Sequence, residues 1–201
     1  AITDYEEVQL KHFLDSLTVM LALKDEAWAK EDFLLLDVGT GAGIPGVPLK
    51  ILLPEVRLVL LDSVAKKTAF LQHLVKCLRL EHAEVLTGRA ENMAQEENYR
   101  EHFHLVVSRA AGKLSTVAEL TLPFCREGGL FIALKKGQIE EELGQAARAI
   151  DILGGRLKEV KKVALEGLES RFLVVVSKVS PTPQCYPRRA GVPAKRPLGK
   201  N

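Results

Sequence analysis

Little in this chain supports a disulfide or a metal scaffold. Its three cysteines, Cys77, Cys125 and Cys185, are odd in number and far apart, which excludes a disulfide framework and matches no zinc-ligand spacing. Cys77 falls within a helical pattern and reads as a core residue. His73, His82, His102 and His104 form no metal motif, although His102 and His104 are spaced to share one face of a strand. Apolar runs stop well short of the ~18 residues that signal a membrane span, and the start lacks a basic region followed by an apolar signal core. A cytoplasmic protein without metal is expected. Internal repeats and low-complexity segments are absent, and neither sign of charge dominates, with 28 Lys and Arg against 26 Asp and Glu.

That balance is uneven along the chain. Pro181 to Asn201 hold five Lys or Arg and no acid, leaving 23 basic against 26 acidic residues elsewhere. Its five prolines predict an extended tail, and Arg188, Arg189, Lys195 and Arg196 are cations suited to phosphates. A polyanionic partner fits this reading; a tail simply docked by its prolines is the alternative. With 201 residues and 47% hydrophobic content, the chain suits one α/β domain with a sizeable core. Its expected parts are a helical segment over 1–32, a Rossmann-like core over 33–180 and the basic tail over 181–201.

The most informative stretch runs from Leu34 to Gly46. An apolar run ends in Asp37 and breaks into Gly39, Gly41, Gly43 and Gly46. Phe33 to Leu36 with Val38 suit a buried parallel strand. The glycines let the backbone turn sharply and approach a ligand, and Pro45 suits the first turn of a following helix. Gly41-x-Gly43-x-x-Gly46 also satisfies a dinucleotide fingerprint, so other residues must choose the cofactor. Arg57 to Asp62 form a second strand whose terminal acid can accept the hydroxyls of an adenosine ribose, common to NAD and S-adenosylmethionine. A third strand, Ala83 to Thr87, leads to Glu91 at the same sheet edge. Asp37 at the loop entrance disfavours a pyrophosphate and favours a cationic methionyl amino group, so S-adenosylmethionine is expected. A plain βα corner with solvated strand-end acids is the bland alternative.

The alternation continues along the chain. An amphipathic helix is expected over Tyr5 to Leu23, helices over Ala65 to Leu80, Ser115 to Cys125 and Glu140 to Leu153, and strands over Phe103 to Ser108 and Gly129 to Leu134. The last two strands, Arg156 to Val163 and Arg171 to Lys178, have no helix between them and must form an antiparallel pair. The outcome is a doubly wound, mostly parallel seven-stranded sheet with a C-terminal antiparallel hairpin. Its carboxyl edge collects Asp37, the glycine loop, Asp62, Glu91 and Arg109. In the first helix, His12, Asp15 and Ser16 share one face, which either borders a catalytic mouth or is solvated.

With the motif Asp37-x-Gly39-x-Gly41-x-Gly43, this pattern resembles the class I methyltransferase fold. More narrowly, the glycine loop, Leu61-Asp62-Ser63 with Lys66, Lys67 and Phe70-Leu71, Arg89-Ala90-Glu91, and Ser108-Arg109-Ala110 are similar to the RsmG (GidB) family. So are His12 to Leu17 and Tyr186 to Lys195 with Pro197-Leu198. The resemblance implies a bacterial enzyme that methylates N7 of a guanine in 16S ribosomal RNA using S-adenosylmethionine, acting on that RNA or on the small ribosomal subunit; a monomer is expected. It implies cofactor contacts from Gly39, Ile44 and the glycine loop, Asp62 with Ser63 at the ribose, Ala90 and Glu91 at the adenine, and Arg109 closing the site. It also implies further helical sequence before the position of Ala1, which bears more on RNA binding than on cofactor binding.

Guanine N7 offers an in-plane lone pair and no proton to remove, so such chemistry needs positioning rather than a general base. No Asp/Asn-Pro-Pro-Tyr segment or Pro-Cys pair follows the fourth strand. Arg109 stands there instead, with a planar fork suited to guanine O6 or a phosphate, or to an ion pair with Glu91 or Asp62. A small-molecule methyltransferase would share the cofactor half without needing the basic tail, and a non-enzymatic RNA-binding module would leave the glycine loop empty.

Overall fold

The computed structural model describes residues 4–23, 32–109, 112–165 and 169–199; Ala110 and the 24–31 part of the expected helical segment lie outside them. Seven strands form one sheet: β1 (Leu34–Val38), β2 (Arg57–Asp62), β3 (Ala83–Thr87), β4 (Phe103–Ser108), β5 (Cys125–Lys136), β6 (Gly155–Val163) and β7 (Arg171–Lys178), in the order β3-β2-β1-β4-β5-β7-β6. The first five run parallel, and β7 pairs antiparallel with both β5 and β6. This is the expected sheet and hairpin. β5 outruns the expected 129–134 at both ends: Cys125, expected to close a helix, pairs with Phe103 of β4, and the antiparallel partner pairs as far as Lys136 with Arg171.

Both sheet faces are covered, so the central strands alternate between two apolar layers instead of between core and water. Leu36, Val38, Val59, Leu61 and Val106 enter one layer; Leu35, Leu58, Leu60, Leu105 and Val107 enter the other. The opening helical segment, α1, has α-helical turns at Tyr5–Val8 and Asp15–Leu17, a π-helical stretch at Gln9–Leu14 and a 3₁₀ end at Thr18–Ala22. The others are α2 (Gly46–Leu52), α3 (Ala65–Cys77), α4 (Ala90–Met93), α5 (Leu114–Thr121), α6 (Glu140–Ile152) and α7 (Val192–Lys195).

Three expectations are corrected. Cys77 is exposed, not core: α3 buries Thr68 and Leu71, and Cys77 instead lies 3.3 Å from the His73 ring. His102 precedes β4, so it shares no strand face with His104, which stacks on Phe33 and accepts the Leu34 N–H. Nor is the tail an extended free arm. It turns through a cis Tyr186–Pro187 bond, forms α7 and packs Tyr186 and Leu198 against the core.

The tail's fastening is mostly polar. Arg100 donates to the carbonyls of Thr182, Pro183 and Tyr186, and Gln95 to that of Pro187. Arg188 forms a bidentate pair with Glu119, a fully buried acid of α5, and its backbone N–H donates to the same carboxylate. Hydrogen bonds to a charged group in a dry environment are the stronger kind, and this fork geometry is arginine's own.

Candidate active site

The carboxyl edge of the sheet is where parallel strands release their chain, and four of them converge there on one cavity of about 590 Å³. Its walls come from Val38 and Gly39 after β1, Asp62 to Val64 after β2, Gly88 to Glu91 after β3, and Ser108 at the end of β4. Val117, Leu120 and Thr121 of α5 and Gly191, Ala194 and Lys195 of the tail complete it. Such a volume suits a nucleoside-sized ligand.

The glycine loop is built around Asp37. Its side chain is fully buried, and Oδ2 accepts the Thr40 hydroxyl at 2.7 Å and the Gly46 N–H at 2.8 Å. Gly46 is required here, because a Cβ would sit 3.0 Å from the Asp37 carboxylate and 2.7 Å from Leu60. The other oxygen, Oδ1, has no hydrogen-bond partner among the described residues. Burial pushes the Asp37 carboxyl up to about 6, only partly offset by Thr40 and Gly46. An orphaned, buried carboxylate oxygen beside a glycine loop is an acceptor in want of a cationic donor.

Asp62 is oriented by backbone. Its Oδ2 accepts the Gly41 N–H and its Oδ1 the Val64 N–H, each at 3.0 Å, with Lys67 3.4 Å away. Gly41 has φ +61° and open space where a side chain would project, so the loop brings bare backbone to the carboxylate. Each oxygen retains lone pairs for a vicinal diol. Glu91 is buried in the first turn of α4 and accepts the Gly191 N–H at 2.8 Å. Ser63 and Ala90 line the same cavity, and Ser108 pins β4 to β1 through the Val38 carbonyl.

Arg109 pairs with neither Glu91 nor Asp62 in this geometry. Its guanidinium turns to α1, donating to the Lys11 carbonyl at 3.0 Å and approaching His12 Nδ1 at 3.1 Å and Asp15 at 3.6 Å. Desolvation, followed by the Arg109 charge, holds the His12 pKa below its ordinary value. A neutral His12 that accepts at Nδ1 carries its proton on Nε2. The π-helical stretch falls at this contact, as such irregularities often do at functional sites. The polar face of α1 therefore points inward: Asp15 and Ser16 are buried, whereas Phe13 and Leu14 are about half exposed. Asp15 also pairs with Arg171 at 3.3 Å.

The structure thus gathers Asp37, Gly39, Gly41, Asp62, Ser63, Ala90 and Glu91 around the loop and cavity, with Arg109 set against His12 and Asp15 of α1. Gly43 and Ile44 complete the loop turn through N–H bonds to the Thr40 carbonyl. The tail cations divide: Arg188 is engaged with Glu119, Lys195 lines the cavity, and Arg189 and Arg196 are exposed. Sequence reasoning passed over Glu119 and Arg171. The signal for Glu119 was an acid set among Val117, Ala118 and Leu122 of a core helix; Arg171 had no local signal. No group of three or more metal-ligating side chains occurs among the described residues, and no described helix is long and apolar enough to cross a membrane.

Comparison with known proteins gives concordant results. A family profile described as rRNA small subunit methyltransferase G (GidB) matches residues 1–172. Proteins named ribosomal RNA small subunit methyltransferase G are 53% identical over 199 residues in Dehalococcoides mccartyi, covering 98% of this chain and 83% of the relative. The match in Moorella thermoacetica is 51% identical, covering 98% and 81%. Among solved structures, a 16S rRNA adenine methyltransferase from Catenulisporales acidiphilia superposes with TM-score 0.63 at 16% identity, covering 78% of this chain and 90% of that one. A geranyl diphosphate C-methyltransferase from Streptomyces coelicolor, solved with S-adenosyl-L-homocysteine, gives 0.61 at 13% identity, covering 83% and 80%. These structural likenesses establish the class I methyltransferase fold.

Proposed function

The chain belongs to the rRNA small subunit methyltransferase G family, and from that premise we propose that it methylates N7 of a guanine in 16S ribosomal RNA with S-adenosylmethionine as donor. The observation that carries the cofactor assignment is the orphaned Asp37 Oδ1 behind a glycine loop, beside a cavity whose Asp62 is aimed by two backbone N–H groups. A cationic amino group satisfies Asp37, a ribose diol satisfies Asp62, and a purine fits between α4 and α5. When bound, the cofactor supplies an electrophilic methyl carbon on a sulfonium centre.

The chain's own residues then have only to orient the acceptor. Guanine N7 attacks through its lone pair without deprotonation, so alignment of the attacking nitrogen with the methyl carbon carries the rate. Arg109, which follows the cavity-lining Ser108, is held by the Lys11 carbonyl, His12 and Asp15. Its remaining N–H groups suit guanine O6, and His12 Nε2–H is a second donor on the same side. Arg189, Lys195 and Arg196 supply tail cations for the RNA backbone, while Arg188 serves as the tail's fastening. We further infer that residues 1–201 form one methyltransferase domain and that the protein acts in the cytoplasm.

The test is transfer of tritiated methyl from S-adenosylmethionine to small-subunit particles and free RNA from cells lacking the modification, followed by mapping of 7-methylguanine. Label at one guanine N7 supports the proposal. Cofactor binding with no labelled RNA shifts the assignment to a small-molecule acceptor, and no cofactor binding sinks it.

A further inference from the structure

The tail that reads in sequence as an RNA-binding arm forms one wall of the cofactor cavity. Gly191, Ala194 and Lys195 line that space together with Asp62, Ser63 and Glu91. Few residues of a flexible terminus would hold such a position unaided, yet this segment is anchored at several independent points. Arg188 is clamped by the fully buried Glu119, and its guanidinium also donates to the Arg196 carbonyl, closing the segment into a loop. Thr116 of α5 donates to the Pro193 carbonyl, and Pro193 is buried. At the cavity's edge the Gly191 N–H donates to Glu91.

These contacts have a common direction. Glu119 and Thr116 belong to α5, whose Val117, Leu120 and Thr121 form the cavity's apolar side, and Glu91 belongs to the turn that follows β3. The fastenings therefore fix the tail against the same two elements that flank the cavity, and Ala194 with Lys195 line the cavity beside them. We propose that residues 188–196 are a cofactor-binding element: they cover the adenosine end of S-adenosylmethionine, with Ala194 packing on the purine side and Glu119 acting as the positioning residue. The proposal rests on the cofactor reading given above and extends it to residues that the glycine loop and the strand-end acids do not include.

A consequence is that loss of the tail weakens cofactor binding as well as RNA binding, so a small-molecule methyltransferase built this way would need the tail too. Hydrogen exchange followed by mass spectrometry on the full chain, with and without saturating S-adenosylmethionine and with no RNA, tests the proposal. Exchange at 188–196 should slow at least about tenfold together with 39–46 and 88–93. Protection of 39–46 and 88–93 with unchanged exchange at 188–196 overturns the proposal and leaves the cofactor site standing. Protection nowhere overturns both. As a second measurement, Ala194→Trp places bulk at an exposed position that carries no core contact. Calorimetry should show S-adenosylmethionine affinity reduced about tenfold or more at unchanged Tm, and wild-type affinity in that variant overturns the proposal.

Discussion

Asp37 links folding, pH and cofactor affinity in one measurable profile. It is an acid whose folded-state pKa is raised from 3.8 to about 6 by burial. The unfolded chain gives up this proton at lower pH than the folded one. Stability contributed by the protonated carboxyl is therefore fully present below about 4, and is lost as pH rises towards 6. At about 1.4 kcal/mol per tenfold, the total is about 3 kcal/mol. A cationic amino group brought to Oδ1 reverses the effect, because it favours the ionised form. If binding returns the pKa to its ordinary value, affinity for S-adenosylmethionine is about tenfold weaker near pH 5 than near pH 7.5. Asp37→Asn removes both effects. Its carbonyl can still accept from Thr40 and Gly46, so the Tm of the free protein at about pH 7.5 should not fall. Affinity should drop about 10- to 100-fold, the worth of a hydrogen bond to a charged group, and lose its dependence on pH. Isothermal calorimetry between about pH 5 and 7.5 decides the matter. A flat wild-type profile, or an Asp37→Asn profile with the wild-type slope, refutes the reasoning.

Other perturbations have expected outcomes. Gly46→Ala forces a Cβ to 2.7 Å from Leu60 and 3.0 Å from Asp37, costing about 1–3 kcal/mol by overpacking, which thermal denaturation reads as a Tm lower by several degrees; Gly41→Ala meets open space and costs only about 1–2 kcal/mol through its left-handed backbone. Asp15→Asn removes the charge shared by Arg109 and Arg171, so kcat for methyl transfer should fall about tenfold or more while the Kd for S-adenosylmethionine changes little. Arg188→Ala strands the buried Glu119 carboxylate at a cost of about 3–5 kcal/mol and roughly 10 °C in Tm, and the double variant Arg188→Met with Glu119→Leu should recover most of the loss in a thermal melt.

What could be read from the sequence was the part of the fold set by neighbours along the chain. Strand runs, the glycine turn after Asp37 and the strand-end acids are local patterns, and the sheet order follows from short right-handed crossovers between them. What escaped was set by charge pairs between distant elements. Arg109 had two acids in view at its own sheet edge, but α1 delivers a third, Asp15, because the helix turns its polar face inward and leaves Phe13 and Leu14 half exposed. An apolar stripe ordinarily marks a helix's buried side; here Arg109, just after β4, and Arg171 of β7 make the polar side the better partner.

The tail obeys the same physics. Counting its cations treats them as equally available to phosphate, yet a fully buried carboxylate must have a partner, and Glu119 has no cation beside it along the chain. Arg188, 69 residues away, meets that need and ceases to be a free charge. Once it is fixed, the residues after it are carried to the cavity, placing Lys195 on the cavity wall and leaving Arg189 and Arg196 facing solvent. A basic terminus thus resolves into an anchor, a wall and two outward charges. Under the proposed function Arg189 and Arg196, with Lys195 nearer the cavity, meet the RNA backbone, so removing either outward charge should reduce the salt dependence of particle binding by roughly one phosphate's worth, whereas removing Arg188 should act first on stability.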